Sequence, residues 1–335
     1  MKLSNLQKLM NALPPDVDLQ DPEQRNDYLR RMGLDPGSIY QELEMESPLV
    51  DSHQDISYSN TQVNLHSHAF YELLYCCNSC GAEYLVGAER YRLQKGDVIL
   101  VPPGLSHRPL LPERLPEPYR RIVLWISPEF MAGLLHAFPE LLNPMQVCSV
   151  LLRTADTRWE FLGDLFQSGL QMAQAGGPEW QMLLTGNTVT LLAHIRRAFL
   201  DRSASAMRAE HPELLDRVIG YIEENLSQRI TLTEAARHFY VSESTISQTF
   251  RKKMGVSFYH CVIQRRLIAA KQAILEGHSL ERVAELTGFT DYSAFYRAFK
   301  QEYGISPRQF RKTSVQNAAE RSQRLPLNLN EQQIT

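Results

Sequence analysis

The sequence predicts an α+β protein in which an N-terminal β-barrel with trailing helices precedes an all-α domain. Three observations lead to this prediction. From about residue 60 to 127, short apolar runs alternate with Gly and Pro turns, as in a small antiparallel barrel. The segments 159–175 and 179–200 carry apolar residues at helical spacing. Residues 213–313 contain two related helix-turn-helix units.

The C-terminal duplication is the strongest signal in the sequence. Thr231-Leu-Thr-Glu-Ala-Ala236 recurs as Ser279-Leu-Glu-Arg-Val-Ala284, and the segment 250–257 recurs as 299–306. The offset is 48 residues in the first pair and 49 in the second, so the second copy has one extra residue in its turn. Thr231 and Glu234 form a capping-box pattern that predicts a helix start. A continuous helix over 257–276 is expected to connect the copies.

The second helix of each copy offers polar side chains to solvent. Ile246 and Phe250 are four residues apart and are expected to face the core, as are Phe295 and Phe299. A helix in the major groove of DNA presents outward polar groups to base edges, and flanking cations meet phosphates. The outward side chains are Ser244, Ser247, Gln248, Tyr292, Ser293, Tyr296 and Arg297, and all of them except Tyr292 are the predicted base contacts. The predicted phosphate contacts are Arg251, Lys252, Lys253, Lys300, Arg308 and Arg311.

The distribution of charge agrees with a partner that meets only one part of the chain. Residues 211–313 carry 15 Lys and Arg against 11 Asp and Glu, whereas residues 1–210 carry 18 against 25. This asymmetry is expected when one domain contacts phosphates. The N-terminus lacks a signal-peptide pattern, no segment has the apolar length of a membrane span, and the cysteine count is odd. We therefore expect a cytoplasmic protein without a membrane partner.

The C-terminal hundred residues resemble the DNA-binding domain of the AraC/XylS family of bacterial transcription regulators. The stretch from Ala284-Glu-Leu-Thr-Gly-Phe to Gly-Ile-Ser-Pro-Arg-Gln-Phe-Arg311 follows that family's signature closely. Phe239-Tyr240 departs from it, because a small residue and Gly are commoner at this turn. The family's base-contacting positions correspond to the six side chains named above as base contacts. The resemblance implies an activator or repressor with double-stranded DNA and RNA polymerase as partners.

Two patterns in the N-terminal region resemble the motifs of the cupin barrel. His66-Ser-His68 followed by Glu72 has the form H-x-H-x3-E, and His107 ends a G-x5-P-x-G-x2-H pattern. On a strand, His66, His68 and Glu72 share one face. Three imidazoles and a carboxylate are suited to a divalent transition metal. No organic cofactor is expected.

His66, His68, Glu72 and His107 have two other possible interpretations. They are polar lining for a small-molecule effector or inherited structural residues, and the resemblance to regulators favours an effector. A pocket of this kind is mostly apolar with a few converging polar groups. Tyr84, Tyr91 and Trp125 are candidate aromatic walls for a sugar or an aromatic compound. The sequence leaves the choice of ligand open.

These observations predict five consecutive segments. They are an N-terminal extension (1–55), a cupin-like effector-binding and dimerisation domain (56–200), a linker (201–212), the DNA-binding domain (213–313) and a disordered tail (314–335). The helices at 158–175 and 179–200 are the expected homodimer interface, or else a cover for the barrel.

The predicted function is a sequence-specific DNA-binding transcription regulator, not an enzyme, that a small effector controls. Two alternatives remain at this point. One is a metal-dependent cupin enzyme fused to a DNA-tethering module. The other is a constitutive DNA-binding protein whose sensor domain has degenerated.

Overall fold

The computed structural model of the chain describes residues 45–59, 65–112, 114–141, 151–201 and 213–312, with four further positions between residues 24 and 31. The predicted tail lies outside the described residues, as do residues 202–212 of the predicted linker and most of the predicted extension. Within the described part, no helix combines the length and the hydropathy that a bilayer crossing requires.

The N-terminal half forms two antiparallel sheets around a shared core, which we call the β domain. The larger sheet has the order β1-β7-β2-β5-β8 and the smaller one β4-β3-β6. Both contribute to one buried cluster that contains Phe70, Tyr84, Tyr91 and Trp125. The strands are β1 (Val50–Ser57), β2 (Tyr71–Cys76), β3 (Glu83–Val86), β4 (Glu89–Arg92), β5 (Asp97–Val101), β6 (His107–Leu110), β7 (Tyr119–Ile126) and β8 (Leu151–Arg153).

Three helices follow or interrupt these strands. They are α1 (Pro128–Ala137), α2 (Leu162–Ala175) and α3 (Trp180–Leu200), so the two predicted helices before residue 200 are confirmed. Leu73, Leu124 and Ile126 of the larger sheet pack in one apolar cluster with Phe166 and Leu191 of these helices. The larger sheet is therefore covered by helices on its outer face, as expected of a sheet that buries both faces.

The C-terminal half is helical and follows the predicted repeat. Its helices are α4 (Leu214–Glu224), α5 (Leu232–Phe239), α6 (Glu243–Met254), α7 (Phe258–Leu275), α8 (Leu280–Leu286) and α9 (Tyr292–Tyr303). The predicted capping box is present, because the Thr231 hydroxyl accepts from the Glu234 amide while the Glu234 carboxylate accepts from the Thr231 amide. Asp291 is the N-cap of α9, as Ser242 is of α6, so the extra residue of the second copy lies between Gly288 and Asp291.

The two copies differ at the residue that ends the first helix of each motif. Gly288 has a φ of +76° in the second copy, and Tyr240 takes the equivalent place with a φ of +57° in the first. A β-carbon on Gly288 would lie 2.1 Å from the Leu226 carbonyl oxygen, so only glycine fits there. Tyr240 is tolerated because it is 95% exposed, although a left-handed conformation is unfavourable for tyrosine.

The β domain begins earlier than predicted. Strand β1 starts at Val50, not at residue 56, and it pairs along its whole length with β7. The predicted boundary left residues 50–55 in the extension, whereas in the structure the buried side chains of this strand include Asp51, His53 and Ser57. A strand with a polar inner face lacks the apolar alternation by which strands are recognised.

Candidate functional site

The structure brings together the residues of the predicted cupin motifs, which we call the histidine cluster (His66, His68, Glu72 and His107). Ligand atoms of His68, Glu72 and His107 all lie within 4.8 Å of one another, and the three residues are buried. The His66 ring lies 4.3 Å from the His107 ring, measured between centroids. A backbone bridge between His66 and His107 holds this approach in place. The predicted convergence of these four residues thus agrees with the fold.

The hydrogen bonds of the cluster fix the tautomers of two imidazoles. Nδ1 of His68 is 2.8 Å from the Phe70 carbonyl oxygen, and Nδ1 of His107 is 2.8 Å from the Leu105 carbonyl oxygen. A carbonyl oxygen only accepts, so each Nδ1 carries the proton and donates it. In the neutral His107 ring, Nε2 then presents a lone pair, whereas Nε2 of His68 donates to the Glu72 carboxylate. Both Nε2 atoms point at Glu72, at 2.9 Å from Oε2 and 3.8 Å from Oε1.

The electrostatics of the cluster favour a cation between these groups. Burial lowers the pKa of His107 well below its usual value, with neighbouring histidines adding to the effect, so this ring is neutral. Burial alone would raise the pKa of the Glu72 carboxyl, but its hydrogen bond with His68 and the nearby imidazoles hold it far below its usual range. The result is a carboxylate facing the Nε2 atom of His107, which has no hydrogen-bond partner among the described residues.

The predicted aromatic walls divide into two groups. Trp125 donates from Nε1 to Glu72 Oε2 at 3.0 Å, and the Tyr84 ring stacks 6.3 Å from the His107 ring. These two residues therefore adjoin the cluster. Tyr91 is buried in the same apolar core, but its hydroxyl group donates to Glu89 at the edge of β4.

Sequence reasoning missed a row of polar residues on β1 that lies in the same domain. His53 packs edge-on against Trp125, with ring centroids 4.7 Å apart, and both of its ring nitrogens lack hydrogen-bond partners within the described residues. Arg121 on β7 donates to Ser57 at 2.9 Å and to Asp55 at 2.8 Å. The signal was the spacing of two between Asp51, His53, Asp55 and Ser57, which places these side chains on one strand face.

The helical domain presents the predicted polar faces of α6 and α9. Ile246, Phe250, Phe295 and Phe299 are fully buried, as predicted from their spacing. On the opposite sides, Ser244, Gln248, Ser293 and Arg297 are exposed, and Ser247 and Tyr296 are half-buried. The six predicted base contacts therefore lie on the solvent sides of the two helices that follow the turns.

Four of the six predicted phosphate-binding cations, Arg251, Lys252, Lys300 and Arg308, are exposed. Lys253 forms an ion pair with Glu213, and Arg311 donates from Nη2 to the His278 carbonyl oxygen. These two cations bind partners within the chain.

Two family models match the chain in the order of its two domains. Residues 52–156 match an AraC-like ligand binding domain, and residues 235–313 match a helix-turn-helix domain. Together the two matches span more than half of the chain. The chain is a member of the AraC family.

Several proteins with sequences similar to this chain are named as transcription regulators. The probable transcriptional regulator LumQ of Photobacterium leiognathi is 30% identical over 122 residues, which are 36% of this chain and 49% of LumQ. The HTH-type regulator YfiF of Bacillus subtilis is 26% identical over 74% of this chain and 78% of its own length. The chain thus spans about half the length of LumQ.

Two solved structures are also similar to part of this chain. One is the DNA-binding domain of AdpA in complex with a target DNA, at 25% identity and a TM-score of 0.30 over 34% of this chain and 97% of that one. Another is the C-terminal domain of AraT, a response regulator from Geobacillus stearothermophilus, at 29% identity and a TM-score of 0.30 over 31% and 88%.

Proposed function

We propose that the chain is a transcription regulator that reads a specific sequence in double-stranded DNA under the control of an effector bound in the β domain. One observation carries this proposal: α6 and α9 each bury an apolar pair and expose polar side chains, and the continuous helix α7 joins the two motifs. A single chain is therefore equipped to place two helices in the major groove. The AraC-family membership supports this use of the two helices.

Within this proposal, the exposed groups of α6 and α9 have distinct roles. Gln248 has the amide geometry to pair with adenine, and Arg297 the planar fork to pair with guanine. Arg251, Lys252, Lys300 and Arg308 lie beside them and are exposed, which suits contact with phosphates. Lys253 and Arg311 would first have to leave the internal partners described above.

Sequence-specific DNA binding is tested with a duplex that the protein selects from a random library. At physiological salt we expect a Kd on the order of 10 nM for the selected duplex and on the order of 10 µM for its scrambled version. Fluorescence anisotropy measures both. Equal affinities for the two duplexes at this salt would contradict sequence-specific binding, because phosphate contacts alone do not distinguish them.

We further propose that the protein acts as a homodimer through α2 and α3 and engages RNA polymerase. The proposed dimer rests on exposed apolar side chains, which lie on α3 and at the residue before α2. Met182 is 69% exposed and Leu183 52%, while Phe161 is 38% exposed. Exposed apolar groups that adjoin one another often mark protein interfaces.

We also propose the boundaries of the two domains. The regulatory domain ends near residue 200, and the DNA-binding domain begins near residue 213.

The histidine cluster is the proposed effector site, and its donor set fits a divalent transition metal. Once a metal ion replaces the Nε2 proton of His68, two imidazoles and a carboxylate form a ligand set that suits zinc, with His66 nearby as a fourth donor. The backbone carbonyls that receive the Nδ1 protons orient the rings, as second-layer partners do in metal sites. Bound there, the ion would neutralise the Glu72 carboxylate and hold the three ligand-bearing segments together. A sugar or an aromatic compound beside Tyr84 and Trp125 is the other candidate effector.

Thermal unfolding of the full chain with Zn²⁺ separates these candidates. At a free Zn²⁺ concentration 100 times the Kd, we expect about 2.7 kcal/mol of stabilisation and a higher Tm, because the ion binds only the folded cluster. Glu72→Gln should lose this effect. His136→Ala, which removes an exposed histidine of the same domain, should keep it. Equal stabilisation of all three proteins would contradict binding in the cluster, and stabilisation by sugars or aromatic acids alone would favour an organic effector.

A further inference from the structure

The outer face of the smaller sheet, opposite the histidine cluster, is covered by the helical domain. Leu85 of β3 and Leu110 of β6 are buried in one apolar cluster with residues of α4, α6 and α7, including Ile219, Met254 and Val262. The neighbouring positions of β3, Tyr84 and Val86, belong instead to the core of the β domain. This sheet is therefore the partition between the effector site and the first helix-turn-helix motif.

Strand β6 places consecutive residues on the two sides of this partition. His107 points inward as a member of the histidine cluster. Arg108 is completely buried on the other side and donates from Nη1 to the Met254 carbonyl oxygen at 3.1 Å. Met254 is the last residue of α6, where helix carbonyls lack partners within the helix and carry partial negative charge. Arg108 thus holds the C-terminal end of the first recognition helix.

Ser106, the residue before His107, contacts α7, the helix that connects the two helix-turn-helix motifs. The hydroxyl oxygen of Ser106 lies 3.2 Å from Nη1 of Arg265, which is buried in the middle of α7. Arg265 also donates to the Gly87 carbonyl oxygen at 3.0 Å and pairs with Glu223. Three consecutive residues, Ser106 to Arg108, therefore touch α7, the histidine cluster and α6 in turn.

These contacts resist independent movement of the two domains. Arg108 is 0% exposed and Arg265 2%, so both cations are held away from water. A buried guanidinium that loses its acceptors is costly, because no water replaces them. If β6 shifts, it either carries the end of α6 with it or breaks this hydrogen bond.

We propose that β6 couples the histidine cluster to the first helix-turn-helix motif, with Arg108 as the positioning residue through which the strand acts on α6. The proposal rests on the proposed function, in that the cluster is taken as the effector site. An effector that favours one position of His107 then favours one position of α6, which is the differential interaction that allosteric control requires.

The test is a double-mutant cycle read by hydrogen exchange in the full chain. The four proteins are the natural sequence, Glu72→Gln, Arg108→Ala and the double variant, and the readout is the exchange rate of residues 252–258. We expect Glu72→Gln to change this rate roughly fivefold in the natural background and to have no further effect once Arg108 is absent. A purely structural role for Arg108 would leave the two effects additive. Exposed Arg92 provides the matched control, since Arg92→Ala should preserve the response to Glu72→Gln.

Two results would overturn the proposal. One is a response to Glu72→Gln that persists unchanged in the Arg108→Ala background, and the other is no response in the natural background. If Arg108→Ala does not fold, Arg108→Lys replaces it, because lysine keeps the charge and loses the planar fork. The exchange measurement needs neither DNA nor Zn²⁺. Failure to find a specific duplex would therefore contradict the proposed function and leave the coupling result intact.

Discussion

Replacing Arg297 with alanine is expected to weaken binding to the selected duplex by about 1–3 kcal/mol, roughly 5- to 150-fold. Arg297 is exposed on α9, whose opposite side is anchored by fully buried Phe295 and Phe299. The buried anchors fix the helix, and the proposed bidentate contact of Arg297 with guanine is lost completely when the side chain is removed. Fluorescence anisotropy at fixed salt with the selected duplex measures the effect.

Two control variants separate base reading from general attraction. Ser247→Ala removes one half-buried hydroxyl group from α6 and should cost less than Arg297→Ala. Lys300→Ala removes an exposed cation beside Arg297 and should weaken binding to selected and scrambled duplexes alike, with a salt dependence reduced by about one ion. Similar losses for Arg297→Ala on both duplexes would show that this arginine contacts phosphate.

Gly288→Ala is expected to destabilise the helical domain by about 2–5 kcal/mol. The new β-carbon would lie 2.1 Å from the Leu226 carbonyl oxygen and 3.0 Å from the Ser227 carbonyl carbon, at a φ of +76°. Backbone strain accounts for about 1–2 kcal/mol of this loss and the steric clash for about 1–3 kcal/mol. Urea denaturation of the full chain measures the change in unfolding free energy.

Gly277→Ala is the control for strain without a clash. Its φ is +88°, and among the described residues no atom beyond its chain neighbours lies within 4 Å of the added β-carbon, so the expected loss is about 1–2 kcal/mol. Tyr240→Gly, at the position equivalent to Gly288, should have the opposite sign and stabilise by about 1 kcal/mol. If Gly288→Ala costs no more than Gly277→Ala, the backbone at Leu226 moves aside and the close contact is not decisive.

The sequence predicted those features that depend on local patterns. Capping residues, the spacing of Phe295 and Phe299 and the alternation of His66, His68 and Glu72 each follow from helix or strand geometry, and these features are present. The residues of β1 escaped prediction because Asp51 and His53 are buried in a polar part of the β domain. A rule that expects apolar side chains inside assigns such a strand to a loop.

The contact between the two domains could not be predicted at all. Arginine is usually a surface residue. The sequence around Arg108 and Arg265 does not indicate that each side chain is buried against the other domain. Their acceptors, the Met254 and Gly87 carbonyl oxygens, are backbone groups that carry no sequence signal. Contacts between residues more than 140 positions apart depend on the assembled fold.

The connector α7 has a consequence for the DNA site of the proposed function. Its 18 residues make a rod roughly 27 Å long, and its buried side chains, such as Leu267 and Ala270, pack against the helices that it joins. In the proposed function, one chain therefore imposes a fixed spacing on two unlike segments of its DNA site. The site of a single protomer should have no internal palindrome, and base pairs inserted between its segments should abolish binding even when they add a full turn.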